Sequence, residues 1–381
     1  MVRWLESAGG PDWAGGIGAG EHATDALPVV AADPGRVHTE GRIARAVVEN
    51  ARDRVAALMG TRPRQVVFTS GGTEAANAAT WGATRARPGQ PVLLADVEHS
   101  CVRDASERLA PVVRLEVDRL GRIDPAVVVE AIERCSAAGS PPALLHCQAA
   151  NHEVATVQPM ADIVDACRRH GVVVHVDACA SAGHLPLAFD ELGADLLSVS
   201  AHKFGGPPGV GALIVRRGVR LESLLVGGEQ ERGRRAGLEN VPAMIGFGAA
   251  AEELSRPGVL EAEAAAARRR TDRLLEAATV VDGVHGVGDP ERRVPHIVCV
   301  TIDDVEAEPV LLGLDQRGIA AHSGSSCSSE SLSPSPVLEA MGVDAERSLR
   351  LSVGWSTTDD DVDAFADVFA SIVAGLRQLR A

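Results

Sequence analysis

Between residues 66 and 215, short and almost wholly apolar runs alternate with stretches of helical periodicity, and that alternation limits the fold more than any other feature of the chain. Val66-Val67-Phe68-Thr69 is the first run. Val92 to Ala95, Val112 to Val117, Ala143 to Cys147, Val172 to Val176, Leu196 to Val199 and Ala212 to Val215 follow it. Helical stretches around 99–109, 124–138 and 159–170 separate several of them. A strand with one face in water alternates polar and apolar residues. Most of these do not, so both faces must be covered, and helices on each side of a parallel sheet provide the cover. The pattern predicts a large, mainly parallel α/β domain. A helix precedes it, because Ile43, Val47, Ala51, Val55 and Leu58 recur at helical spacing.

After about residue 240 the texture changes. An alanine- and arginine-rich helical stretch runs to about 278. Beyond it lie a strand at Ile297 to Ile302, a helix from Val305 to Arg317, a serine-rich loop at 323–335, a strand at Leu349 to Val353 and a final helix from Asp359. This reads as a small α+β domain. With 381 residues the chain has room for more than one core. The expected division is a segment 1–37 with little periodicity, a large domain 38–245 and a small domain 246–381.

Composition narrows the function. Acidic residues number 52 against 37 basic ones, a net charge of -15, which argues against a general binder of nucleic acid or anionic membrane. No run of about eighteen apolar residues occurs, so no membrane span is expected. The opening residues do not read as a secretory leader, and a cytoplasmic setting is expected. The seven cysteines include no C-x-x-C pair, which speaks against a disulfide scaffold or a cysteine-rich zinc site; no metal site is expected.

One count stands out. The chain has 36 arginines and a single lysine, Lys203, with no tyrosine. Arginine-favouring codons account for the depletion but not for where the survivor sits: in Ser200-Ala201-His202-Lys203-Phe204-Gly205-Gly206, directly after an apolar strand. Arginine replaces lysine as a charge. It cannot form an imine, because its guanidinium stays protonated.

Other candidates gather around the same kind of junction. Ser70-Gly71-Gly72-Thr73-Glu74 follows a strand and opens a helix. It suits either a phosphate cradle or a plain helix cap. His175 and Asp177 share one side of a strand end, where a carboxylate caps a turn or meets a ligand. Cys327 lies in Ser323-Gly324-Ser325-Ser326-Cys327-Ser328-Ser329 and is either incidental or a mobile thiolate nucleophile. Arg350, in Leu349-Arg350-Leu351-Ser352, is a surface arginine or a carboxylate fork.

Taken together the segments resemble the cysteine desulfurase family, pyridoxal-phosphate enzymes of the class V aminotransferase fold. The likeness runs from about His38 to about Asp361. It includes Phe68 to Glu74, Glu98-His99, Asn151-His152-Glu153, Gln158-Pro159, His175 to Ala178, Ser198 to Pro207, Gly227-Gly228 with Gln230-Glu231-Arg232, Arg235 with Gly237, Glu239 and Asn240, Ser323 to Ser328 and Leu349 to Ser352. The resemblance implies fold type I, the aspartate aminotransferase-like fold. It implies pyridoxal 5'-phosphate as cofactor, held through Lys203, with Asp177 on the ring nitrogen and His99 over the ring. Gly72, Thr73, Ser200 and His202 would meet the phosphate, and His152 would lie at the ring's phenolic oxygen or against the ring. Arg350 and Asn151 would bind the substrate, L-cysteine. Cys327 would take its sulfur as a persulfide for an acceptor or scaffold protein. A homodimer is implied, with the 227–240 segment of one subunit near the other's cofactor.

The chain departs from the family's pattern at His152, Ala180, Leu238 and Trp355, and the family's opening strand is not recognisable in residues 1–37. A C–S lyase or an aminotransferase-like enzyme of a specialised pathway therefore stands beside the desulfurase as an alternative. A partner subunit that has lost catalysis is a third.

Overall fold

The computed structural model describes residues 32–323 and 334–380. His38 accepts a bond from the Gly41 N–H and opens helix α1 (Thr39–Leu58), whose Ala44, Val48, Ala51 and Val55 are buried. Strand β1 (Val66–Thr69) leads into α2 (Gly72–Ala86). The alternation continues through β2 (Val92–Ala95), α3 (Ser100–Leu109), β3 (Val112–Leu115), α4 (Pro125–Ala137), β4 (Leu144–Gln148) and α5 (Met160–Arg169). It closes with β5 (Val173–Asp177), α6 (Phe189–Leu192), β6 (Leu196–Ser200) and β7 (Gly211–Val215).

These seven strands lie in the order β1-β7-β6-β5-β4-β2-β3. Strands β6, β5, β4, β2 and β3 run parallel, and β7 runs antiparallel to both its neighbours. Every residue of β1, β2, β4, β6 and β7 is buried, as their apolar composition requires. Because the strands are parallel, the loops at their C-terminal ends collect on one edge, the usual place for a ligand in such a sheet.

The rest of the chain forms α7 (Val241–Leu254), α8 (Val259–Thr279), β8 (Val284–Val287), β9 (Ile297–Ile302), α9 (Ala307–Asp315), β10 (His322–Ser323), α10 (Pro336–Ala340), β11 (Ser348–Ser352) and α11 (Asp359–Arg380). Its four strands make an antiparallel sheet in the order β10-β11-β9-β8. The long helical stretch expected up to 278 is two helices. Pro257 and Gly258 interrupt it, and Gly258 takes a left-handed φ of 79° at the start of α8.

Two main apolar cores result. One fills the large sheet and its helices; the other joins α8, α9 and α11 to the small sheet. Met244 and Phe247, on either side of position 245, both pack in the first core, as does Leu254. Leu274 and Ala278 of α8 belong to the second. Among the described residues, no helix is long and apolar enough to cross a membrane.

Candidate active site

Asp177 ends β5, and the neighbouring strand supplies its partner. In register, Asp177 lies beside Ser198 of β6, whose hydroxyl donates to Asp177 Oδ1 at 3.0 Å. The Cys179 N–H donates to the same oxygen at 3.0 Å. Burial works to raise the pKa of this carboxyl, but His175, the Cys179 donors and His99 outweigh it and hold it below the usual range. A buried carboxylate is the chemistry needed to keep a proton on a heteroaromatic nitrogen.

Cys179 also touches the strand–helix junction at Gly72. A Cβ on Gly72 would come within 2.4 Å of Cys179 Sγ, so only glycine lets the backbone approach so closely. A Cβ built on Gly71 would lie 3.9 Å from Ser200 Oγ, and one on Gly72 3.5 Å from the Ser200 Cβ. Ser200 Oγ in turn lies 2.9 Å from His202 Nδ1. The first turn of α2, Thr73, Ser200 and His202 are thus brought to one spot, which presents free helix N–H groups and hydroxyls to an anion.

His99 caps α3. Its Nδ1 accepts the Cys101 N–H at 3.2 Å and lies 3.1 Å from Cys101 Sγ. The imidazole is therefore fixed in place, with its ring edge-on to that of His152, 5.0 Å between centroids. His152 Nε2 lies 3.4 Å from Glu153 Oε1, and Ser335 donates to the other oxygen of Glu153 at 2.6 Å.

A cavity of about 820 Å³ opens beside these groups, where β11 and the β9 end of the small sheet face the large one. His152, Ala180, His202, Lys203 and Arg350 all line it. Lys203 sits in a single 3-10 turn (Ala201–Phe204) after β6, and its backbone oxygen lies 2.9 Å from His184 Nε2. The Lys203 side chain is exposed and makes no ion pair among the described residues. Arg350 donates from Nη1 to the His152 carbonyl at 3.0 Å, and no carboxylate pairs with it among the described residues. An arginine so placed has spare donors for a carboxylate from outside the protein.

Asn151 was expected at the substrate. It is fully buried, and its Oδ1 accepts the N–H groups of Glu153 and Val154 at 2.7 and 2.8 Å while Nδ2 donates to the Val97 carbonyl. That bonding shapes the loop that carries His152. Cys327 lies outside the described residues. Ser198, Cys179 and His184 escaped the sequence reading. Ser198 stands in a matched segment, but only strand register reveals that it bonds Asp177.

The donor set fits pyridoxal phosphate: an amine without an ion-pair partner among the described residues, a buried acid suited to the ring nitrogen, and a glycine-lined helix start suited to the phosphate.

Comparison with known proteins agrees. The family model described as aminotransferase class-V matches residues 29–365. Cysteine desulfurase IscS 1 of Archaeoglobus fulgidus is 38% identical over 356 residues, covering 91% of this chain and 91% of its own. Among solved structures, a NifS-like protein is 28% identical with a TM-score of 0.81, covering 91% of this chain and 92% of that one. A structure described as SspA in complex with cysteine is 28% identical with a TM-score of 0.73, covering 85% and 91%.

Proposed function

We infer that this chain, which belongs to the class-V aminotransferase family and to its cysteine desulfurase branch, is a pyridoxal-phosphate enzyme that takes sulfur from L-cysteine and leaves L-alanine. The observation that carries the reading is the shared cavity: the only lysine of the chain lines it together with an arginine that has no carboxylate partner among the described residues.

Bound there, pyridoxal phosphate supplies an aldehyde for imine formation and a protonated ring that draws electrons from the substrate's Cα. The protein's part is division of labour. Asp177 keeps the proton on the ring nitrogen. Gly72, Thr73, Ser200 and His202 hold the phosphate, with the dipole of α2 behind them. His99 and His152 pack at the ring, and Asn151 acts at one remove by shaping the loop of His152. Arg350 takes the substrate carboxylate and so points Cα toward Lys203. The Lys203 amine removes the Cα proton and returns one as the product forms. Cys327, as a thiolate, attacks the substrate sulfur. The new S–S bond forms as the Cβ–S bond breaks, the C–S electron pair stays with the three-carbon fragment, and that fragment takes up a proton and leaves as alanine.

Sulfur on Cys327 then passes to an acceptor protein. A homodimer is part of the reading, supported by Leu225, Val226 and Leu238, which leave large apolar side chains in water along one segment. A cytoplasmic setting is expected. A division into large and small domains is part of the reading, supported by the second core, while α7, Cys299 and α10 pack in the first.

Cys327→Ala tests the reading. Incubated with cysteine, the wild type is expected to release alanine and to gain the mass of one sulfur atom on the Cys327 peptide. The variant should still bind cysteine and lose both products. Undiminished turnover by the variant, with pyruvate and ammonia in place of alanine, would make the chain a C–S lyase.

A further inference from the structure

Beneath Asp177, on the same face of the sheet, lie three buried polar residues that the reaction above does not use. Thr80 stands in the middle of α2, His146 on β4 and His175 on β5, and the two histidines are register partners on adjacent strands. All three are fully buried.

Their hydrogens can be assigned one after another. Thr80 Oγ1 donates to the Ala76 carbonyl at 2.8 Å, the back-bond of a threonine within a helix. A hydroxyl has one hydrogen, so toward His146 Nε2, at 3.2 Å, Thr80 can only accept. His146 therefore carries its proton on Nε2 and a lone pair on Nδ1. That lone pair lies 2.7 Å from His175 Nδ1, and two lone pairs would repel at this distance, so His175 donates from Nδ1. What remains is His175 Nε2, a lone pair buried without a hydrogen-bond partner among the described residues.

Burial agrees with two neutral rings. It pushes His146 well below the ordinary histidine range and His175 down to about 4, the latter against the pull of Asp177. An unmatched buried acceptor costs about 1–3 kcal/mol, so its retention calls for a reason. Alternate residues of a strand share a face, which puts His175 next to Asp177. The charges of the two groups act on one another without a direct bond, so a proton moved to Nε2 would change the field at Asp177 and the charge it offers the ring nitrogen.

We propose that Thr80 and His146 are positioning residues that fix His175 as the neutral tautomer with its proton on Nδ1, and thereby reserve the charge of Asp177 for the cofactor. This rests on the role given to Asp177 above. The chain runs from the middle of a helix, across two strands, to the acid at the strand end. None of its members lines the cavity that Lys203 and Arg350 share.

Imidazole nitrogen NMR on the cofactor-free, histidine-labelled full chain at neutral pH tests the assignment without any turnover. The expected spectrum has protons on His146 Nε2 and His175 Nδ1 and none on His175 Nε2, with His146→Leu identifying the signals. The reverse chain, with Thr80 donating to His146 Nε2 and a proton on His175 Nε2, overturns the proposal whatever Asp177 does.

A second arm uses Thr80→Val, which keeps the shape and removes the acceptor. His175 is expected to move its proton to Nε2. With nitrogen-labelled pyridoxal phosphate bound, the ring-nitrogen signal should shift toward the unprotonated position, and cofactor affinity should fall about tenfold, the equivalent of one pKa unit. An unchanged His175 tautomer and ring-nitrogen signal in Thr80→Val overturns the positioning role. The reading of Asp177 fails separately, if Asp177→Asn leaves the ring nitrogen as protonated as in the wild type.

Discussion

The two walls of the active site are built on opposite plans. On the Asp177 wall most polar atoms are spent on neighbours, Glu98 Oε2 and His175 Nε2 being exceptions among the described residues. Glu98 Oε1 accepts the Gln148 N–H, Gln148 and Asn151 both donate to the Val97 carbonyl, and Asp177 accepts from Ser198 and Cys179. Where the cavity itself is lined by Lys203 and Arg350, no carboxylate of the described residues pairs with either side chain. The difference separates holding from reacting. A ring is held best by groups that cannot move, since fixed dipoles need no reorganisation, whereas an amine that shuttles a proton and an arginine that receives a carboxylate must have unused bonding capacity.

The comparison can be broken by substitutions on either wall. The largest effect is expected from Asp177→Asn on the fixed wall. Asparagine keeps an acceptor for Ser198 and loses the negative charge. Cofactor should still bind, while deuterium exchange at the substrate Cα slows by about 100- to 1,000-fold, the scale of losing one preorganised electrostatic partner. Near-normal exchange would mean that the fixed wall only packs the ring.

Arg350→Gln on the open wall comes next. A charge-assisted bond to a carboxylate contributes about 1.5–3 kcal/mol, so KM should rise by about ten- to a hundredfold. Its kcat should fall less than kcat/KM does. A change confined to kcat would place Arg350 in the chemistry rather than in binding.

Glu98→Gln should have the smallest effect on turnover and a distinct one on stability. Burial pushes Glu98 up to about 8, with the charge of Asp177 adding to it against the Gln148 N–H, His152 and Arg103. An acid with a raised folded pKa binds more protons folded than unfolded. Its stabilising proton is in place below the unfolded pKa of about 4.3, and stability falls as pH rises from there toward 8. The thermal midpoint of the wild type should therefore drop relative to Glu98→Gln across that window, with the two closest on the acid side. Parallel melting curves from about pH 5 to about pH 9 would show Glu98 ionised in the fold.

The sequence made the open wall legible more readily than the fixed one. A lone lysine among arginines is visible in composition, whereas on the fixed wall Asp177 stands out only as the end of an apolar run. The bonds of Asp177 to Ser198 and of His146 to His175 depend on which strands are neighbours and in what register, and no local pattern encodes that. For the same reason the sequence does not announce that the side chain of Asn151 bonds the backbone of Glu153, Val154 and Val97. Strand β10 has two residues and α10 five, too short for a period to register, and in β8 His285 and Gly286 interrupt the apolar run. The break between α7 and α8 was marked by Pro257-Gly258, a signal that the surrounding alanine periodicity outweighed.

The central claim is that one amine, on Lys203, holds pyridoxal phosphate opposite Asp177. Reduction of the holoenzyme with borohydride, followed by peptide mapping, tests it directly, because the chain offers no second lysine to confuse the result. The account predicts a phosphopyridoxyl group on the peptide containing Lys203, and none in Lys203→Arg, which keeps the charge and loses the amine. Reduced holoenzyme with Lys203 unmodified would contradict it.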